Sequence, residues 1–296
     1  MRKRPVLIVV LVGVALLSMA LAILAAGCGS GDEESTTTPR ETEGKFSGTV
    51  KASGSTTVLP IAQEAATLFM DDNPDATVEV QGGGSSTGIT QVKEGVVDIG
   101  TSSRDIKDEE DDGSLVDHKI AFDIIVVVVN PGVTVTDLTT DQVKGVFTGA
   151  VKNWSEVGGP DAEIVVVVRD QASGTREMFD EKALGSEKDA PVEPVASAIE
   201  TNSNGIMRET VSSTANSIGY LSYGYINDSV KAISFNGVEP TVANAKDGTY
   251  TLARYLHMIT KGKPTGAVKG YIDFVLSDKF QTDVVSKDYI PISDVE

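Results

Sequence analysis

The chain is poor in the residues on which most side-chain chemistry depends. Among its 296 residues are one Cys, two His and one Trp, and aromatic residues make up only 5%. A single Cys excludes both a disulfide framework and a Cys-rich metal site. Two histidines, His118 and His257, leave little material for histidine-based catalysis or zinc ligation, so neither a metal nor a cofactor is expected. Positive charge is also scarce: 25 Lys and Arg face 43 Asp and Glu, a formal net charge of −18. No nucleic-acid partner is expected from that balance, because only isolated basic residues offset repulsion from a phosphate backbone. With 40% apolar and 23% charged residues, the composition excludes a polytopic membrane protein and matches a soluble globular one. At roughly 150 residues per domain the length suggests two domains. Binding is favoured over chemistry.

The N-terminus reads as an address and a tether. Arg2, Lys3 and Arg4 precede an almost wholly apolar run from Val6 to Leu24, the pattern of a secretory signal. The only Cys follows at once, in Leu24-Ala25-Ala26-Gly27-Cys28. Small residues before such a Cys resemble a bacterial lipobox, whose thiol is lipidated, although Ala25 stands where Leu is usual. An uncleaved membrane anchor is the rival, since Val6–Leu24 is just long enough to span a bilayer. Either way, the remaining chain is extracytoplasmic. The expected division is a signal peptide at 1–27 and a lipidated flexible linker at 28–44, too rich in Gly, Ser, Thr and acids to pack. Cleavage before Cys28 removes Arg2, Lys3 and Arg4 and takes the net charge from −18 to −21.

Beyond the linker, strand and helix patterns alternate, which implies an α/β fold with parallel or mixed sheets. Strands are expected at Thr49–Ser53, Thr77–Val80 and Val96–Ile99. Ile120–Val129, broken only by Asp123, and Ile164–Val168 are β-branched runs of the kind buried on both faces of a sheet. Helical spacing marks Leu59–Met70, Ile89–Glu94, Arg176–Leu184, Ile206–Ser213, Thr251–Thr260 and Gly266–Leu276. The acidic run Asp105–Asp112 lacks the closing Glu of a calcium loop, Lys119 standing there instead, and reads as a solvated face.

Four short segments share one chemistry: Gly54-Ser55-Thr56-Thr57, Gly84-Ser85-Ser86-Thr87-Gly88, Thr101-Ser102-Ser103-Arg104 and Arg169-Asp170-Gln171-Ala172-Ser173-Gly174-Thr175. Each follows an expected strand and precedes a helix or a helix-compatible run. A helix N-terminus carries unpaired N–H groups and about half a positive charge, so it attracts anions. In an open α/β sheet, the strand ends bearing such loops line a common crevice. Any one segment taken alone reads better as an N-cap than as a ligand site, since Ser and Thr are preferred there. Capping does not explain Arg169 at the end of an apolar strand, where a guanidinium suits bidentate recognition of an oxyanion. Three helix ends plus Arg169 supply roughly +2.5 charges, enough for a phosphate dianion.

Other motif matches are weaker. Gly84–Gly88 fits the G-x-S-x-G elbow with Ser86 as nucleophile, but neither His lies in a loop where a base would sit. The same cluster has no Lys for a Walker loop, and Thr87 stands where a dinucleotide fingerprint needs Gly.

Taken together, Ala52–Pro60, Gln81–Gly88, Asp98–Arg104, Val146–Gly149, Asn153–Gly159, Arg169–Thr175 and Ser217–Tyr220 resemble the phosphate-binding proteins of bacterial ABC phosphate importers, in order and across nearly all of Lys45–Glu296. The resemblance implies a type II periplasmic-binding-protein fold of two lobes, each a mixed sheet flanked by helices, closing over one phosphate. It implies phosphate ligands at Thr56, Thr57, Ser85, Ser103, Arg169, Ser173, Gly174 and Thr175, with Ser55, Ser86 and Arg104 as further contacts. It also implies no enzyme activity, a membrane permease as partner, anchoring through Cys28 and a monomer. Crossings near Val127–Asn130 and Gly219–Tyr223 divide the chain into lobe one, 45–128 plus 221–296, and lobe two, 129–220.

One departure bears on selectivity. Family members often carry Asp where this chain has Ser103, and that carboxylate accepts the proton of hydrogen phosphate and repels sulfate. Ser103 accepts less strictly, so sulfate, molybdate or tungstate stand as alternative ligands, and a serine esterase or phosphatase built on Ser86 as an alternative class. Arg104 reads either as an anion contact or as a surface charge paired with Asp105.

Overall fold

The computed structural model describes residues 45–295. The expected signal peptide at 1–27, the linker at 28–44 and Cys28 lie outside the described residues. Among the described residues, no helix is long and apolar enough to cross a membrane.

The chain opens with two consecutive β-α-β units: β1 (Gly48–Gly54), α1 (Leu59–Asp72), β2 (Ala76–Gly82), α2 (Ser85–Glu94) and β3 (Ile99–Ser102). Both β2 and β3 pair in parallel with β1, in the register Gly54↔Gly82 and Gly54↔Thr101. Their C-terminal ends are therefore flush, and the polar segments that follow lie side by side. In α1, the buried residues Ile61, Ala62, Ala65, Ala66 and Phe69 form one stripe against the sheet. Pro60 sits in the first turn, where a missing N–H costs nothing.

β4 (Leu115–Val129) is the long member, and from Ile120 onward only Phe122 is partly exposed. After it come β5 (Asp137–Leu138), α3 (Thr140–Thr148), β6 (Val165–Arg169), α4 (Gly174–Leu184), β7 (Ile199–Thr201), α5 (Asn204–Ser213) and β8 (Ser217–Ser222). β9 (Lys231–Ala232), β10 (Ser234–Phe235), α6 (Val242–Lys246), β11 (Ala253–Lys261) and α7 (Gly266–Val275) complete the elements that matter here. The strands run in the order β2-β1-β3-β11-β4-β8-β6-β7, with β9 beside the end of β4. β6 is parallel to both β7 and β8, while β4 is antiparallel to β8 and β11. The mixed α/β expectation holds.

β4 serves two neighbours in succession. Its residues from Leu115 to Ile124 pair with β11, and those from Ile125 to Val129 pair with β8. Two apolar clusters flank this change of partner. One gathers Val50, Phe69, Ile99, Ile120, Leu256 and Tyr271; the other gathers Ile124–Val129, Phe147, Trp154, Phe179 and Tyr220.

Several expectations need correction. Thr251–Thr260, expected as a helix, is strand β11, held antiparallel between β3 and β4. A strand buried on both faces need not alternate, and its apolar spacing at Leu252, Leu256 and Ile259 imitated a helix. α2 begins at Ser85, before the expected Ile89, and β3 begins at Ile99. Val230, Ile233, Phe235, Ala245, Tyr250 and Leu252 pack in the second cluster, beside Ile124–Val129. The cause is non-local pairing: β9 adds to β4 at Val128↔Ala232, and β10 adds to β5.

Candidate functional site

Every segment singled out in the sequence lies at the C-terminal end of a parallel strand, the edge at which open α/β sheets bind ligands. Ser55, Thr56 and Thr57 follow β1. Ser85 opens α2 after Gly84, which is held at φ +93°, and a Cβ there would lie 2.6 Å from Ala172 O. Only glycine accepts both that dihedral and that approach. Ser103 follows β3, and Arg169 ends β6. Ser173 caps α4, its Oγ accepting from Arg176 N at 3.2 Å, which leaves its hydroxyl hydrogen to donate elsewhere.

These residues meet. Ser103 N donates to Ser85 Oγ at 3.0 Å, and the two hydroxyls lie 3.3 Å apart. A Cβ on Gly174 would fall 2.4 Å from Ser85 Oγ and 3.0 Å from Ser103 Oγ, so the start of α4 touches the starts of α2 and the loop after β3. Thr57 and Thr175 hydroxyls are 3.1 Å apart, and Arg169 Nη2 donates to Thr56 Oγ1 at 3.3 Å. Thr56, Thr57, Ser85, Ser103, Arg169, Ser173, Gly174 and Thr175 are all buried. Ser55 is buried too, but its Oγ accepts from Thr57 N at 3.2 Å and shapes the turn.

Arg169 carries the site's charge. It is 1% exposed; Nη2 has Thr56 Oγ1 and Asn202 O as acceptors, while Nε and Nη1 have no partner among the described residues. Burial lowers its pKa, with nearby Arg254 adding to the effect and Asp170 and Tyr220 opposing it. A buried guanidinium with two nitrogens, and so three N–H groups, unpaired among the described residues is costly unless an anion takes them.

Arg104 and Ser86 play different parts from those expected. Arg104 is neither a surface charge paired with the Asp105 carboxylate nor an open anion contact. Its guanidinium is 1% exposed, meets Glu110 through Nη1 at 2.7 Å and Nη2 at 2.6 Å, and has Nε 2.9 Å from Glu177 on α4. Glu110 therefore leaves the solvated face on which the acidic run was placed. Burial pushes the Glu110 carboxyl up, but the Arg104 hydrogen bonds and charge and the Lys107 N–H outweigh it, so its pKa lies below the usual range. Ser86 Oγ takes Arg104 Nη2 at 3.0 Å. His257, expected inside a helix, is on β11 with Nδ1 on Asp117, and His118 Nε2 lies 3.3 Å from Thr260 Oγ1.

Three residues join the network unannounced. Asn204, first residue of α5, donates from Nδ2 to Thr56 Oγ1 at 3.1 Å and Thr57 Oγ1 at 3.0 Å, and accepts from Ser222 N at 3.1 Å. Its surroundings, Thr201-Asn202-Ser203-Asn204-Gly205, have the same Gly and hydroxyl composition as the other segments, which is the signal that marks them. Arg254, at the start of β11, reaches Thr175 Oγ1 at 2.9 Å and Thr57 Oγ1 at 3.2 Å from Nη2. It also pairs with Asp123 at 2.9 Å, on β4 where the strand changes partner, and Ser222 Oγ donates to the same carboxylate at 2.7 Å. Burial pushes Asp123 up and Arg254 down, and their mutual attraction opposes both shifts. Asp123 was visible as the sole break in an apolar run; Arg254 was hidden by the helical reading of 251–260.

A profile for the PBP superfamily domain matches residues 39–279. The phosphate-binding protein PstS of Bacillus subtilis is 39% identical over 289 residues, covering 95% of this chain and 94% of its own. PstS of Borreliella burgdorferi is 30% identical over 252 residues, covering 82% and 90%. Among solved structures, a putative phosphate ABC transporter substrate-binding protein with bound phosphate from Clostridium perfringens aligns with a TM-score of 0.78 at 36% identity, covering 83% of this chain and all of its own. An ABC-type phosphate transport receptor from Vibrio cholerae aligns at 0.69 and 34%, covering 82% and 100%. On profile, sequence and fold together, the chain belongs to the PBP superfamily and, within it, to the family of PstS phosphate-binding proteins.

Proposed function

We propose that this protein captures inorganic phosphate and delivers it to the permease of an ABC importer. The observation that carries this reading is the buried Arg169 guanidinium, with Nε and Nη1 unpaired, inside a ring of hydroxyls and helix N-termini from both halves of the sheet. Such a ring is matched to a tetrahedral oxyanion. The net charge of −18 repels anions at long range, so affinity comes from this local field. Phosphate lies between two lobes, lobe one comprising 45–122 with 255–289 and lobe two 124–252, as the two apolar clusters divide. Hydroxyls of Thr56, Ser85, Ser173 and Thr175 and the amide of Gly174 donate to it, Thr57 contacts it through the Thr175 hydroxyl that it orders, and a lone pair of Ser103 accepts its proton.

The mature protein begins at lipidated Cys28, is tethered outside the cytoplasm by the 28–44 linker, and acts as a monomer. A hydrolase built on Ser86 is disfavoured by the partner of that hydroxyl: Arg104 can only donate to it, and a guanidinium takes no proton from a nucleophile.

The test is a thermal-shift series with phosphate, sulfate, molybdate and tungstate. An anion at about 1,000 times its Kd stabilises the protein by about 4 kcal/mol. Stabilisation by phosphate well beyond that by sulfate is expected; equal stabilisation by sulfate demotes phosphate to one oxyanion among several.

A further inference from the structure

The hydroxyls that line the site have their hydrogen directions set by residues behind them. A Thr hydroxyl has one hydrogen and two lone pairs. Thr56 Oγ1 is met by three donors, Asn204 Nδ2 at 3.1 Å, Arg169 Nη2 at 3.3 Å and the Asn204 backbone N–H at 3.4 Å, which more than fill its two lone pairs, so its hydrogen is left to donate. Thr57 Oγ1 accepts from the second Asn204 Nδ2 hydrogen at 3.0 Å and from Arg254 Nη2 at 3.2 Å. The 3.1 Å contact between Thr57 and Thr175 is then a bond given by Thr57. Thr175 Oγ1, accepting from Thr57 and from Arg254 Nη2 at 2.9 Å, is filled in turn and keeps its own hydrogen to donate.

Neither donor is free to turn. The Asn204 carbonyl oxygen is held by Ser222 N, which fixes the amide with its NH2 towards the threonines. Arg254 is clamped by Asp123, whose Oδ2 takes both Nε at 3.2 Å and Nη2 at 2.9 Å. One Nη2 hydrogen serves Asp123 and the other is shared by Thr57 and Thr175.

We propose that Arg254 and Asn204 are positioning residues that turn Thr56 and Thr175 into obligate hydrogen-bond donors, and so tune the site towards oxyanions carrying few protons. This rests on the phosphate reading and deepens it. A ligand oxygen bearing hydrogen meets filled hydroxyls at these two positions and finds an acceptor only elsewhere, so the cradle penalises protonated phosphate more than sulfate. Freeing the hydroxyls lets them rotate and accept, and shifts preference back towards phosphate.

The experiment is calorimetric titration of the intact mature protein with phosphate and with sulfate. Asp123→Asn/Arg254→Met removes the clamp without leaving an unpaired buried carboxylate, and Asn204→Ala removes the side-chain donor to Thr56 and Thr57 without touching a charge, leaving only the longer backbone N–H contact to Thr56. Both are expected to weaken phosphate binding, the first by about 30-fold or more. Both are expected to lose more affinity for sulfate than for phosphate, moving the ratio of the two Kd values by about fivefold or more. Arg254→Lys, which keeps a charged donor, restores most of the ratio. A purely structural role lowers both affinities alike and leaves the ratio unmoved. A wild-type ratio in the folded Asn204→Ala variant overturns the proposal, whether or not the double variant folds. Wild-type protein that binds neither anion overturns the phosphate reading instead, which keeps the two failures distinct.

Discussion

Arg169 holds its position through few contacts of its own: Thr56 Oγ1 and Asn202 O accept from the guanidinium, and Tyr220 Oη accepts from the Arg169 backbone N–H at 3.2 Å. Truncating it therefore removes charge from the ligand pocket while leaving strand β6 paired with β7 and β8. Arg169→Ala is expected to cost about 2–5 kcal/mol of phosphate binding, measured by calorimetry, with the melting temperature of the ligand-free protein unchanged or raised. Unaltered affinity would remove the guanidinium from the site. At this scale much was legible. A charge ending an apolar strand has to face a partner, and a lone Asp in a run of Val and Ile has to be paired; Arg169 and Asp123 met both conditions. Arg254 could not be found in the same way, because its partner lies 131 positions away on another strand.

At the scale of the element, helix α4 shows how a binding terminus is attached to a packed body. Its N-terminus supplies Ser173, Gly174 and Thr175, while Phe179 stacks on Tyr220 with ring centroids 3.9 Å apart. Asp180, on the next residue, is drawn into this apolar setting. Burial pushes its carboxyl up to about 6, with Glu193 and Glu177 adding to the effect and Arg176 opposing it. A carboxyl whose pKa is raised on folding contributes stability that is present below the ordinary Asp range and is lost as pH rises through about 6. Asp180→Asn is therefore expected to gain stability over wild type between pH 4 and pH 7.5, by up to about 3 kcal/mol, in urea unfolding at the two pH values. A constant difference across that window would contradict the assignment. Elements with a strong local signature were legible: the stripe of α1 and the β-branched core of β4 appear where their patterns lie. β11 was not, since a strand covered on both faces lacks the alternation that identifies one. α3 carried an unread signal, the Thr139/Gln142 capping box.

Across the whole molecule two apolar clusters lie on either side of the point where β4 changes partner, and ion pairs link segments far apart in the chain near the proposed site. Arg104 meets Glu177, Lys107 meets Glu177 at 3.0 Å, and Lys188 meets Glu109 at 3.3 Å, each pair joining the segment 104–109 to the segment 177–188. The two lysine pairs are exposed and contribute little individually, whereas the Arg104 guanidinium is buried. Small-angle scattering is expected to show a smaller radius of gyration with phosphate than without, and identical profiles would argue against closure about β4 and β11. The amino-acid sequence by itself determined the α/β alternation, the polar segments after the strands and the charged residue among them, because each is written in neighbouring residues. Only the tertiary structure decided that Asn204 and Arg254 stand behind the threonines, that Arg104 is consumed by Glu110 and Glu177, and that apolar residues of 230–252 pack in the second cluster. Those outcomes depend on which strands lie side by side, and pairing between residues a hundred or more positions apart leaves no periodic trace in the chain.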